Sequence, residues 1–243
     1  ITFLDSEVLA LTEESDTLFL GNSGSTYIVG QKVDGFMLQG FAGINPADGR
    51  PMWYDQNNNL TYNRTSGVTR QFRGSAIPDH FGGITNSFSY KGLTLTAFFQ
   101  WQYGNLILNT ERNFTERAGS TADRNQNVSQ LRRWQEPGDV TDVAIPVLGF
   151  AYPNGGASRF NIGNDTRAVE RGDYIRLKEI RLSYNLPFGL VDRLGLRSLS
   201  VYAVGVNLWT QTEYTGFDPE FLGSDFGDLP QPKTATIGLN IGL

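Results

Sequence analysis

Between Thr234 and Leu243 (TATIGLNIGL) apolar and polar positions alternate. Ala235, Ile237, Leu239, Ile241 and Leu243 fall on one face of a strand, with Thr236, Gly238, Asn240 and Gly242 on the other. The same two-residue period sets Ile84, Phe88 and Tyr90 against Thr85, Ser87 and Ser89, and Leu93, Leu95, Ala97, Phe99 and Trp101 against Thr94, Thr96 and Gln100. Lys91-Gly92 lies between those two runs and predicts a tight hairpin. In Tyr174 to Leu186 the apolar set is Ile180, Leu182, Tyr184 and Leu186, and Leu199 to Leu208 reads as one more strand. Shorter strand-like pieces fall at Asp16 to Leu20, Thr26 to Val29, Gly35 to Ile44 and Met52 to Asp55. Gly21-Asn22-Ser23-Gly24 and Asn45 to Pro51 supply turn chemistry, and Asn125 to Trp134 suits a short helix.

Alternation alone also describes a soluble β-sandwich, whose apolar face meets a second sheet. Two further features favour a membrane wall. The runs repeat at the length of about 9–11 residues that crosses a bilayer when tilted. The connections also alternate, short at Lys91-Gly92 and Pro187 to Leu196, long at Gly104 to Gly172 and Trp209 to Pro232, as an up-and-down barrel with extended loops on one side requires. Tyr90, Trp101, Tyr103, Tyr174 and Trp209, at or near strand ends, are expected to form interfacial girdles.

Composition agrees with strands and turns: 28 Gly, 16 Phe and 10 Tyr stand beside 2 Met. The net charge of −5, with no Lys/Arg block, argues against a nucleic-acid partner. The absence of cysteine excludes disulfides, thiolate metal sites and a cysteine nucleophile. A mean hydropathy of −0.30 is compatible with barrel strands, which give half their residues to a polar lumen. No apolar run approaches the roughly 20 residues of a membrane helix. Ile1 opens on ITFLDSEVLAL, without a basic leader, so the chain is expected to begin inside a longer polypeptide.

Catalytic chemistry has thin support. His80 is the only histidine and reads as a loop residue entering a strand. Asp139 and Asp142 in one loop, with Asp218 and Glu220 in another, would have to converge to serve as a glycosidase pair. We expect no catalytic, metal or cofactor site. The loop aromatics Trp53, Tyr54, Trp134 and Tyr152 are the candidates for stacking on a sugar or peptide ligand.

Six stretches taken in order, GINPADGRPMWYD (Gly43 to Asp55), IPDHFGGITNSFSYKGLTL (Ile77 to Leu95), RWQEPGDVTDVAIP (Arg133 to Pro146), GDYIRLKEIRLSYNLP (Gly172 to Pro187), NLWTQTEYTGFDPE (Asn207 to Glu220) and the final strand, resemble the C-terminal part of the SusC/RagA-like TonB-dependent transporters of Bacteroidetes. The resemblance implies an all-β, antiparallel transmembrane barrel of the 22-stranded type. Residues 1–243 would form a C-terminal part of it, and the plug domain would lie outside this chain. It further implies residence in the Gram-negative outer membrane and import of glycans or oligopeptides. The implied partners are a SusD-like surface lipoprotein, TonB-ExbB-ExbD, the remainder of the barrel and plug, and surrounding lipid or lipopolysaccharide (LPS). One departure is the terminal Leu243, where many such barrels end in an aromatic residue. The alternative from another class is a soluble or surface-attached β-sandwich that binds carbohydrate.

Overall fold

The computed structural model describes residues 1–12, 15–20, 25–63, 70–120, 124–149 and 165–242. The turn at Gly21 to Gly24, Tyr152 and Leu243 lie outside the described residues. In chain order the strands are β1 (Thr2–Phe3), β2 (Thr17–Leu20), β3 (Ser25–Ile28), β4 (Gly35–Gln39), β5 (Phe41–Ile44), β6 (Pro51–Tyr54), β7 (Leu60–Thr61) and β8 (Arg70–Ser75). Then come β9 (His80–Tyr90), β10 (Leu93–Tyr103), β11 (Leu106–Asn109), helix α1 (Arg112–Thr115), a 3-10 turn (Val128–Arg132) and β12 (Val169–Arg171). The chain continues with β13 (Tyr174–Asn185), helix α2 (Phe188–Arg193), β14 (Ser198–Thr212), β15 (Gly223–Asp225) and β16 (Thr234–Gly242).

The long strands form one antiparallel sheet of six in the order β1-β9-β10-β13-β14-β16. Register places the alternating residues of every strand in common rows. Val201 opposes Leu239 and Ala203 opposes Ile237, while Leu95 opposes both Phe88 and Leu182. That face stays open: Ile237 is 81% exposed, Leu239 60% and Phe88 68%. A sandwich would bury these side chains against a second sheet, so the soluble β-sandwich alternative fails on its defining feature. The opposite face is polar, with Ser87 bonded to Thr96 at 3.1 Å, Ser89 to Thr94 at 2.9 Å, and Arg181 lying 4.7 Å from the Tyr202 ring centre.

Lys91 and Gly92 both take positive φ, 44° and 84°, which gives the tight β9–β10 turn the handedness that matches strand twist. At the same end, α2 links β13 to β14, and Arg197 N donates to Gly242 O. The far end carries the long connections. There the region read as an irregular loop builds structure of its own. β11 pairs antiparallel with β12 and parallel with β15, which brings the two long connections together. The strand expected over Gly35 to Ile44 breaks at Gly40, with β4 in a β2-β3-β4-β8 sheet and β5 in a β5-β6-β7 sheet. The expected helix over Asn125 to Trp134 contracts to the 3-10 turn, capped by the Asn127 side chain, which accepts from Ser129 N at 2.9 Å.

Two small cores hold the loop structure. Phe36, Leu38, Ala76, Leu108 and Ala168 form one, and Ile44, Ala118, Trp134 and Ala144 the other. Burial here replaces what the wall sheet does not provide, since its own apolar face points away from the rest of the protein.

Candidate functional site

Where the polar face of the wall meets the long connections, a bulge reshapes β13 and β14. Between the pairs Leu177–Trp209 and Glu179–Val206 the register skips Lys178 on one strand and Asn207 with Leu208 on the other, and Asn207 has φ 54°. A bulge re-aims side chains locally. It puts Arg176 and Lys178, two residues apart across the disturbance, against one loop segment.

That segment follows β14. Arg176 donates through Nη2 to Asp218 at 2.7 Å, through Nη1 to Glu220 at 2.7 Å and through Nε to Thr210 at 2.8 Å. Lys178 Nζ reaches Glu220 at 2.6 Å. Tyr174 donates to Glu220 at 3.2 Å and receives from Gln100 at 3.0 Å. The Asp218 carboxylate also accepts Glu220 N at 3.0 Å and Gln231 N at 2.9 Å, so it closes the segment on itself as well as on the wall. Burial pushes the Asp218 carboxyl up, but Arg176 and the two backbone donors outweigh it and hold the pKa below the ordinary value. With Arg176 and Asp218 both almost fully buried, the pair is a fixed anchor.

A second network ties the same segment to the β11–β12 unit. Glu170 accepts from Thr215 N at 2.8 Å and from Arg112 at 3.1 Å, and Arg112 also pairs with Glu116 at 2.9 Å. Tyr214 donates to Asp225 at 2.6 Å, and burial together with that carboxylate pushes its pKa up. The NLWTQTEYTGFDPE phrase therefore supplies the bulge at Asn207 and the anchors at Tyr214, Thr215, Asp218 and Glu220.

The two loop phrases GINPADGRPMWYD and RWQEPGDVTDVAIP meet at Gly49. A Cβ there would lie 2.6 Å from Trp134 Cδ2, and φ is 71°. Trp134 Nε1 donates to Pro46 O at 2.9 Å, and Ile145 N to Gly49 O at 2.9 Å. Arg50 pairs with Asp48 and covers the Tyr62 ring at 3.8 Å. Although burial opposes it, Arg50 and Tyr62 together hold the Asp48 carboxyl below its usual range.

The expected ligand-facing aromatics divide. Trp53 is fully buried and Trp134 nearly so, which makes both core side chains and leaves neither ring open for stacking. Tyr54 is half-buried on β6, and Tyr152 lies outside the described residues. Tyr174, read as a girdle residue, instead points into the polar cluster and is 5% exposed. Of the four carboxylates weighed for hydrolysis, Asp142 pairs with Arg132, Asp139 accepts Gln135 N and Glu136 N, and Asp218 and Glu220 pair with Arg176 and Lys178. The Arg176 and Lys178 anchors carry no local sequence signal: their partners lie 42 and 44 positions away.

A six-stranded antiparallel sheet, apolar outside and polar inside, with long structured connections at one end, is a stretch of β-barrel wall. No protein-family model matches the chain. Among curated proteins it is similar to TonB-dependent receptor P3 of Formosa agariphila, at 30% identity over 189 residues, covering 72% of this chain and 17% of the relative. It is also similar to receptor P26 of the same organism, at 28% identity, covering 91% of this chain and 24% of the relative. Among solved structures, the RagAB peptide importer in its open-open state superposes with a TM-score of 0.82 at 28% identity, over 98% of this chain and 25% of that one. The closed-closed state gives 0.80 at 29%, over 98% and 26%. The chain belongs to the SusC/RagA-like TonB-dependent receptors and forms a segment of their barrel. It spans about a quarter or less of the length of these relatives.

Proposed function

We propose that this chain is part of the barrel wall of an outer-membrane transporter that imports oligopeptides or glycans, energised through TonB-ExbB-ExbD. The observation that carries the reading is the superposition of nearly the whole chain on a peptide importer, with its apolar face outward. The eleven residues of β10 reach roughly 28 Å at a rise of about 3.3 Å and a tilt near 40°, enough to cross the hydrocarbon layer. The polar cluster around Arg176 then stands on the lumen side, and the 213–233 segment lines the entrance. Of the described loop aromatics weighed for stacking, Tyr54, half-buried on β6, remains the candidate contact for cargo.

Strands that complete the wall, and a plug, come from sequence other than these 243 residues. A SusD-like surface lipoprotein covers the long-loop side, as the pairing named in the RagAB structures suggests by analogy. Cells depleted of the full receptor, re-supplied with it and offered labelled oligopeptides or oligosaccharides, test the assignment. Uptake restored only with the receptor and abolished by a protonophore is expected. Restoration that ignores the protonophore would remove the TonB-coupled reading, and the labelled class taken up decides the cargo.

A further inference from the structure

The short-connection end of the wall carries the opposite charge from the chain as a whole. Lys91 sits in the β9–β10 turn, and Arg193 and Arg197 in the α2 connection between β13 and β14, with Asp192 the one carboxylate of the two connections. The whole chain has a net charge of −5, and at the far end the 213–233 segment holds five carboxylates against Lys233. All three cations at the short-connection end are exposed, and none has an ion-pair partner among the described residues. The two connections are neighbours, because β10 pairs with β13 and Asn185 N donates to Gly92 O at 2.8 Å. The cations therefore share one edge of the wall.

Beside them the surface is apolar. Val191 is buried, and its carbonyl accepts Leu194 N at 3.1 Å and Leu196 N at 3.2 Å, which folds the chain after α2 back onto that residue. Phe188, Leu190 and Leu194 are left outside, at 74%, 51% and 62% exposed. Three large apolar side chains grouped on one short connection mark a surface that water does not suit. The helix follows Leu186, which extends the outward set of β13, and the wall's last outward row is Tyr90, Leu93 and Tyr184, joined by register. Lys91 Nζ lies 5.2 Å from the centre of the exposed Tyr90 ring, so one of the cations is held on the outward side. Aromatic rings, apolar side chains and cations gathered at one end of an apolar wall match the boundary between hydrocarbon and charged headgroups.

We propose that this end binds the anionic headgroups of glycerophospholipid in the periplasmic leaflet, where the short connections of an outer-membrane barrel stand. Phe188, Leu190 and Leu194 enter the acyl region, and Lys91, Arg193 and Arg197 meet the phosphates. A zwitterionic headgroup offers no net charge to three cations set against one carboxylate, so the preference is for phosphatidylglycerol over phosphatidylethanolamine. The inference rests on the outer-membrane reading above. The test places the photoreactive residue p-benzoylphenylalanine at position 188 of the full receptor, in vesicles of those two lipids with identical acyl chains, and identifies lipid adducts by mass spectrometry. The same residue at position 84, where Ile84 is exposed on the outward face within the wall, is the reference. Phosphatidylglycerol is expected to be enriched about fivefold at position 188 over position 84. Lys91→Gln, Arg193→Gln and Arg197→Gln combined are expected to bring that enrichment to about one while adducts persist, and unchanged outer-membrane yield reports that the variant folds. Raising the salt from about 0.05 M to about 0.5 M is expected to lower the enrichment without any change of charge in the protein. Adducts at position 84 but none at 188, equal proportions at both, or an enrichment that survives either the triple variant or high salt overturns the site. No lipid adduct at position 84 overturns the outer-membrane reading itself, a result separable from the others.

Discussion

Arg176 ties the segment after β14 to the wall, because it satisfies Asp218, Glu220 and Thr210 from one buried position. Removing one partner of such a pair leaves the other charge uncompensated, at a cost of about 3–5 kcal/mol. Arg176→Met is therefore expected to release the 213–233 segment while the wall stays intact. Hydrogen exchange on the full receptor would show faster exchange at Glu220 N and Gln231 N and unchanged exchange in β13. The same anchor sets a pH response. The folded pKa of Asp218 lies below its unfolded value, so its contribution is fully present above about 3.9 and is lost as the pH falls through the folded value. The protection factor of Gln231 N, its exchange corrected for the intrinsic pH dependence, is accordingly expected to be flat from pH 8 to 5 and to fall only under stronger acid; a fall already at pH 6 would point to some other group. At Gly49 a side chain meets both a positive φ and the Trp134 ring, so Gly49→Ala is expected to cost about 1–3 kcal/mol locally, seen as accelerated exchange at Trp134 Nε1. None of these roles was legible in advance. An arginine in an alternating strand and an aspartate in a polar loop carry no mark of their mutual distance. Trp134 looked like a ligand surface because the core that buries it joins Ile44, Ala118 and Ala144 from segments far apart in sequence, and the full burial of Trp53 left no local mark either.

At the scale of elements the alternation was sufficient. β9, β10, β13, β14 and β16 appear where the period of two placed them, and the register joins their apolar positions into one face. What failed were the pieces whose partners are not sequence neighbours: β8, which pairs with β4, the break at Gly40, and β15, which finds β11 across more than a hundred residues. Tyr174 misled for a related reason. It sits at a strand end, as a girdle residue should, but its register row is that of Gln102 and Thr212 on the polar face. The assignment of faces yields a paired prediction in β16. Leu239→Arg places a cation on the outward face at a cost of about 2–4 kcal/mol near the bilayer midplane, whereas Thr236→Arg enters the polar side. Outer-membrane yield of the full receptor is expected to fall for the first and hold for the second. Equal yields would show that the two faces are not distinguished by lipid.

The whole chain leaves its main sheet unfinished on both sides. β16 is bonded to β14 alone, and β9 beyond Phe81 is bonded to β10 alone, among the described residues. In water such edges would be solvated, but in hydrocarbon every unpaired N–H and C=O costs several kcal/mol, so only closure satisfies them. The loop cores do not help, because they stand at the long-connection end of the wall. Strand addition at both edges is thus a physical requirement of placing this sheet in a membrane, independent of any relative. It predicts a difference between the isolated 243-residue chain in detergent micelles and the same residues within the full receptor. Alternate amides of β16, those that do not point at β14, are expected to exchange rapidly in the isolated chain and at least a hundredfold more slowly in the receptor, while amides of β13, paired on both sides, keep their protection in both. If the outward-pointing β16 amides exchange equally fast in the receptor, the edge is open there too, and the wall does not continue past Gly242 by strand pairing.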